Sequence, residues 1–107
     1  MAISPTQRTL KRLREKEEYP LVTMVERWNA FAKIRQDLFG IIDILAIDTK
    51  GNTVGLQVTS YSNISARVKK MENSDAISHL RDANWVLLVE GWHKKDNKWV
   101  SRIVDIS

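Results

Sequence analysis

Arg35 to Ser60 reads RQDLFGIIDILAIDTKGNTVGLQVTS, and the fold turns on how this stretch pairs with itself. Ile41-Ile42-Asp43-Ile44-Leu45-Ala46-Ile47 is a short apolar run interrupted by one carboxylate. Bounded by Gly40 and by the polar cluster Asp48 to Asn52, it predicts a strand covered on both faces. Val54 to Ser60 supplies its neighbour, with Gly51-Asn52 at the hairpin turn. Asp43 then stands in the middle of a core strand. Gln57 and Thr59 are two apart and project from one face of the next strand. A carboxylate in such a place is costly unless it is paired or binds a metal. Pairing with Arg35 as a buried ion pair is one solution, with Gln57 and Thr59 as hydrogen-bonded core residues. A cation is the other.

Upstream, Ser4-Pro5-Thr6-Gln7 predicts a helix start: Ser4 at the N-cap, Pro5 at the first helical position, Gln7 three residues on. The helix is expected to run to about Glu18, with Leu10 and Leu13 inward. Arg8, Lys11, Arg12, Arg14 and Lys16 make its outer face basic. That face is either solvated or in part a phosphate contact. Tyr19-Pro20 stops it. Leu21 to Trp28 reads as one strand, which makes Glu26 either a second carboxylate near the centre or a rim residue. Asn29 to Gly40 reads as irregular and carries Lys33, Arg35 and Asp37. Its Asp-Leu-Phe-Gly has none of the other kinase elements around it.

Downstream, Tyr61 to Asn63 leads into a helix to about Met71, with Ile64, Val68 and Met71 buried. Arg67 and Lys70 share one flank of it, and Lys69 lies on the other. Asn73-Ser74-Asp75 caps a short second helix, which Asn84 can end in the left-handed conformation. Trp85 to Glu90 predicts a buried strand, His93 to Lys98 a polar turn, and Trp99 to Ile106 a last strand. Two helices between the third and fourth strands make a crossover, so those strands can pair in parallel. His79 and His93 lack metal-site spacing and read as surface or packing residues.

Composition bounds the function. The chain has 107 residues, 43% hydrophobic and 28% charged, which fits one globular domain over 1–107. With no cysteine, disulfides, thiolate metal sites and cysteine nucleophiles are excluded. No stretch reaches the length of a membrane span and the N-terminus has no apolar leader, so the expected location is the cytoplasm. The formal net charge of +4 leans toward an anionic partner.

The order α-β-β-β-α-(α)-β-β, the aspartate of the second strand and the short polar motif of the third resemble the PD-(D/E)xK nuclease superfamily. The likeness is nearest to its small Holliday-junction-resolvase-like and VRR-Nuc-like domains. Val25-Glu26-Arg27-Trp28, Arg35 to Gly40, Asp43, Gln57 to Ser60 and Ala66-Arg67 carry a narrower likeness to small nuclease-like proteins of phages and prophages, whose location would be the host cytoplasm. The resemblance implies an α/β (α+β) restriction-endonuclease-like core, a central mixed sheet flanked by helices. It implies that Asp43 holds Mg²⁺ or Mn²⁺ and that Gln57-Val58-Thr59 stands where the family has D/E-x-K. The Val58 carbonyl matches a backbone ligand of the family. Gln57 replaces the acid, keeping an oxygen ligand but losing a charge. Thr59 replaces the lysine that supports the attacking water and offsets phosphate charge. Arg67 and Lys70 are the substitutes this sequence offers, and Glu26 and Asp37 are candidate extra acids, with Glu26 preferred. Arg35, Arg67, Lys69 and Lys70 are the expected DNA contacts. A homodimer is implied as well, because a four-way junction presents two symmetric strands.

Three function classes follow. The first is a divalent-metal-dependent DNA endonuclease, extending to branched or junction DNA. The second is a DNA-binding module that keeps the fold without the chemistry, as Gln57 and Thr59 would suit. The third is a small interaction or assembly protein of a phage, with the edge strand Trp99 to Ile106 and the tryptophans Trp92 and Trp99 as contacts.

Overall fold

The computed structural model describes residues 3–107 as an α+β fold built on a five-stranded mixed sheet. The elements are α1 (Pro5–Arg14), β1 (Leu21–Met24), β2 (Arg27–Asn29), β3 (Ile34–Gln36), β4 (Ile44–Ile47), β5 (Thr53–Ser60), a 3₁₀ turn (Tyr61–Asn63), α2 (Ile64–Glu72), α3 (Ile77–Asp82), β6 (Val86–Lys95) and β7 (Lys98–Asp105). The sheet order is β1-β4-β5-β6-β7, and β2 and β3 form a separate two-stranded ribbon.

The central hairpin forms as its sequence predicts. β4 pairs antiparallel with β5, Ile44 opposite Leu56 and Ile47 opposite Thr53. Asp48 folds the turn, its Oδ1 accepting from the Lys50 and Asn52 amides, and Gly51 takes the left-handed φ of 84°. The α2–α3 crossover then returns the chain so that β5 and β6 run parallel, Val54 opposite Val86 and Ser60 opposite Trp92. Alternation along these strands divides the core. Ile44, Ala46, Val54, Leu56 and Val58 pack with Leu10 and Leu13 of α1. Leu87 and Val89 pack with Ile64 and Met71 of α2 and Ile77 and Leu80 of α3. α2 starts close over the sheet at Gly91, where any Cβ would collide with the Ile64 side chain.

The helix ends also follow from local chemistry. Ser4 Oγ accepts from the Gln7 amide at 3.2 Å, with Pro5 in the first turn. Asn84 ends α3 at φ 62°.

Four expectations are corrected. α1 ends at Arg14 rather than Glu18. The strand expected over Leu21 to Trp28 stops at Met24: Val25 still donates to the Asp43 carbonyl at 2.9 Å, after which the chain leaves the sheet at Glu26. Asn29 to Gly40 is not wholly irregular, because Ile34–Gln36 pairs back onto Arg27–Asn29. The expected turn from His93 to Lys98 shrinks to Asp96-Asn97, both with positive φ, and β6 and β7 extend to meet it.

A buried network joins α1 to the sheet on the face away from α2. The Glu90 carboxylate, with no exposed surface, accepts from Arg12 at 2.8 and 2.9 Å, from Thr9 Oγ1 at 2.8 Å and from Ser101 Oγ at 2.7 Å. Every lone pair facing inward has a donor, so this carboxylate is satisfied as structure.

Candidate metal and phosphate site

Asp43 precedes β4 by one residue and stays in the ladder, its amide donating to the Leu56 carbonyl at 2.8 Å. Its side chain is 5% exposed. Oδ2 accepts from the Val58 amide at 2.9 Å and from Gln57 Nε2 at 2.6 Å. Gln57 Nε2 also donates to Asp37 Oδ2 at 3.3 Å. The expected neighbourhood of Asp43 and Gln57 is therefore met by direct contact. The ion-pair solution is not: among the described residues Arg35 forms no ion pair with Asp43.

Two further acids reach Asp43 by separate routes. Glu26 comes from the segment where the chain leaves the sheet. Asp37 is delivered by the ribbon's return, a tight loop in which Leu38 and Ile42 exchange backbone hydrogen bonds at 2.9 and 3.0 Å. Phe39 and Gly40 take φ of 54° and 76° to close that loop. One carboxylate oxygen from each of Glu26, Asp37 and Asp43 lies within 4.8 Å of the other two. The sequence offered Glu26 and Asp37 as candidate extra acids, Glu26 preferred; the fold brings in both.

These groups open into a polar cavity of about 290 Å³ with Gln57 and Val58 in its walls. Arg35, Arg67 and Lys70 line it too, as does Thr6, which the sequence gave no reason to select. Lys70 Nζ lies 3.6 Å from Asp37 Oδ2. Arg67 and Lys70 thus share the flank of α2 that their spacing placed them on. Lys69 is turned away, beside Arg102 and Val104 of β7. Thr59 is buried in β5 and does not line the cavity.

The Asp43 carboxyl is pushed up from its ordinary 3.8 to about 7. Burial is the largest cause and the adjacent Asp37 carboxyl adds to it, by hydrogen bonding and by like charge, while the Val58 and Gln57 N–H donors pull the other way.

The donor set fits a hard divalent cation. Mg²⁺ and Mn²⁺ take carboxylate, amide and backbone oxygens. Gln57 adds an independent sign: its Oε1 is buried and has no hydrogen-bond partner, although the residue is 1% exposed. A buried amide oxygen left unpaired is costly. A half-turn of the amide would present that oxygen to the acids, favourable only when a cation stands among them.

Comparison with protein-family models, with curated proteins and with solved structures gives no match. No helix of the described residues is long and apolar enough to cross a membrane.

Proposed function

We propose that this chain is a Mg²⁺- or Mn²⁺-dependent endonuclease that hydrolyses phosphodiester bonds in DNA, built on a restriction-endonuclease-like core. One observation carries the proposal: three carboxylates converge beside the Gln57 amide, whose nitrogen two of them now hold and whose buried oxygen has no partner, and three cationic side chains line the same cavity. Acids alone would repel a polyanion, and bases alone would bind it without chemistry. Acids that hold a cation, ringed by Arg35, Arg67 and Lys70, suit a phosphate that must be both held and attacked.

Glu26, Asp37, Asp43 and Gln57 would hold the metal, with the Val58 carbonyl as a further donor. When bound, a divalent cation supplies Lewis acidity at a phosphoryl oxygen and makes water more acidic. The reaction adds water oxygen to phosphorus and breaks one P–O ester bond. The proton lost by the water is balanced by one gained at the leaving oxygen. Arg67 and Arg35 offset the charge that builds on the phosphoryl oxygens. Lys70, 3.6 Å from Asp37 Oδ2, would take the place of the lysine that Thr59 replaces and offset charge on the phosphate. The Asp37 oxygen not given to the cation would accept the water's proton. A homodimer, which symmetric cutting of a four-way junction would require, belongs to the same proposal.

The competing proposal is a DNA-binding module without catalysis, favoured by the threonine at position 59. A cleavage panel of linear, flapped and four-way DNA with Mn²⁺ separates the two. Cleavage that stops with chelator and in Asp43→Asn supports the nuclease; salt-sensitive binding without any cut product supports the module.

A further inference from the structure

The ribbon β2–β3 leaves its large apolar residues exposed to solvent. Trp28 is 61% exposed, Ile34 51% and Phe31 fully exposed. Its tip is nonetheless fixed. Asn29 Oδ1 accepts from the Phe31 and Ala32 amides at 3.0 and 3.1 Å, and Lys33 takes a φ of 54°. Trp28 stands opposite Arg35 in the ribbon, so both project from one face, and Arg35 reaches the acidic cavity. Residues 27–36 hold Arg27, Lys33 and Arg35 and no acid. A second copy of this chain would bring like charge against like charge there. A partner with flat π faces on a polyanionic backbone would not.

We propose that this ribbon is a stacking arm that receives unpaired bases of single-stranded DNA beside the metal site. Trp28 and Phe31 would offer ring faces to successive bases, and Arg27, Lys33 and Arg35 would track the phosphates. The inference rests on the nuclease proposal and narrows its substrate to DNA with an unpaired segment next to the cut, such as a flap or an opened junction. A duplex keeps its base faces stacked on one another and gains only the charge contacts.

The test is fluorescence anisotropy with a labelled twelve-nucleotide oligo(dT) and a twelve-base-pair duplex, with Ca²⁺ at the acids in place of Mg²⁺ or Mn²⁺ so that DNA is held with the acids neutralised. The parent is expected to bind both, and Trp28→Ala or Phe31→Ala to weaken single-strand binding about 5- to 150-fold, the range of one lost stack. Duplex affinity should stay within about twofold in these variants, and melting temperatures should hold because both side chains are exposed. Equal losses on single strand and duplex, or no loss on either, would overturn the stacking arm and leave the nuclease proposal standing. Failure of the parent to bind either DNA would remove both. A parent whose mass rises with concentration, reversed by Phe31→Ala, would assign the ribbon to self-association and overturn the inference.

Discussion

Replacing Asp43 by Asn should stabilise the protein without metal and abolish its stabilisation by metal. Asn keeps the shape: its carbonyl can accept from Val58 and Gln57 as Asp43 Oδ2 does now, and its amide can donate to Asp37. What it removes is a carboxyl whose ionisation the fold opposes. The Asp43 pKa is raised from 3.8 to about 7 in the folded protein. The folded state therefore holds this proton more tightly than the unfolded chain does. Stability from this group is complete below the ordinary carboxyl range and is lost as pH rises through that range to about 7. The interval is about three pH units at about 1.4 kcal/mol each, or about 4 kcal/mol in all. Glu26, Asp37, Arg35, Arg67 and Lys70 line the same cavity. At pH 8 in chelator, Asp43→Asn should melt above the parent by as much as about 15 °C, at about 4 °C per kcal/mol. Mn²⁺ at about a hundred times its dissociation constant should return about 2.7 kcal/mol to the parent and almost nothing to the variant. Calorimetric melts at pH 5 and pH 8, with and without Mn²⁺, measure both. A variant less stable than the parent at pH 8 in chelator would refute the reasoning, because Asp43 would then be a structural acceptor.

Gln57→Glu removes the N–H donor from Asp43 and adds a fourth acid, so the metal-free protein should lose stability while the Mn²⁺-induced rise in melting temperature grows; equal rises in variant and parent would place Gln57 outside the metal site. Arg67→Ala with Lys70→Ala should weaken duplex binding and reduce the salt slope by about 0.9 per lost phosphate contact, read by anisotropy between 50 and 200 mM salt in order-of-magnitude terms; an unchanged slope would leave both as helix surface. Arg12→Ala strands the fully buried Glu90 carboxylate and should cost about 3–5 kcal/mol in urea unfolding. Because that network lies on the other face of the sheet, Mn²⁺ affinity of the folded variant should be unchanged.

What the sequence made legible was whatever local chemistry or alternation decides. Ser4-Pro5 and Asn84 set helix ends through their own side chains and backbone preferences. The core strand β4 shows as the apolar run Ile41 to Ile47, and the crossover helices between β5 and β6 imply the parallel pairing. Asp43 and Gln57 were legible as neighbours because one tight hairpin joins their strands. The β2–β3 ribbon was not, since it buries almost nothing and so leaves no hydrophobic period to read. For the same reason the joint arrival of Glu26 and Asp37 could not be foreseen. It depends on where the chain quits the sheet after Val25 and on a loop closed by a left-handed Phe39, which is a residue type with no preference for that conformation. Thr6 reaches the cavity only because α1 packs across the sheet.

The most direct measurement of the central claim is isothermal calorimetry of Mn²⁺ into the parent, Asp43→Asn and Thr59→Ala near pH 7, in two buffers of different ionisation heat. The account predicts saturable binding to the parent, with proton release as the Asp43 carboxyl is ionised by the arriving cation. It predicts that Thr59→Ala binds like the parent and that Asp43→Asn does not bind. Equal binding by Asp43→Asn, or no saturable heat with the parent at millimolar Mn²⁺, would contradict it.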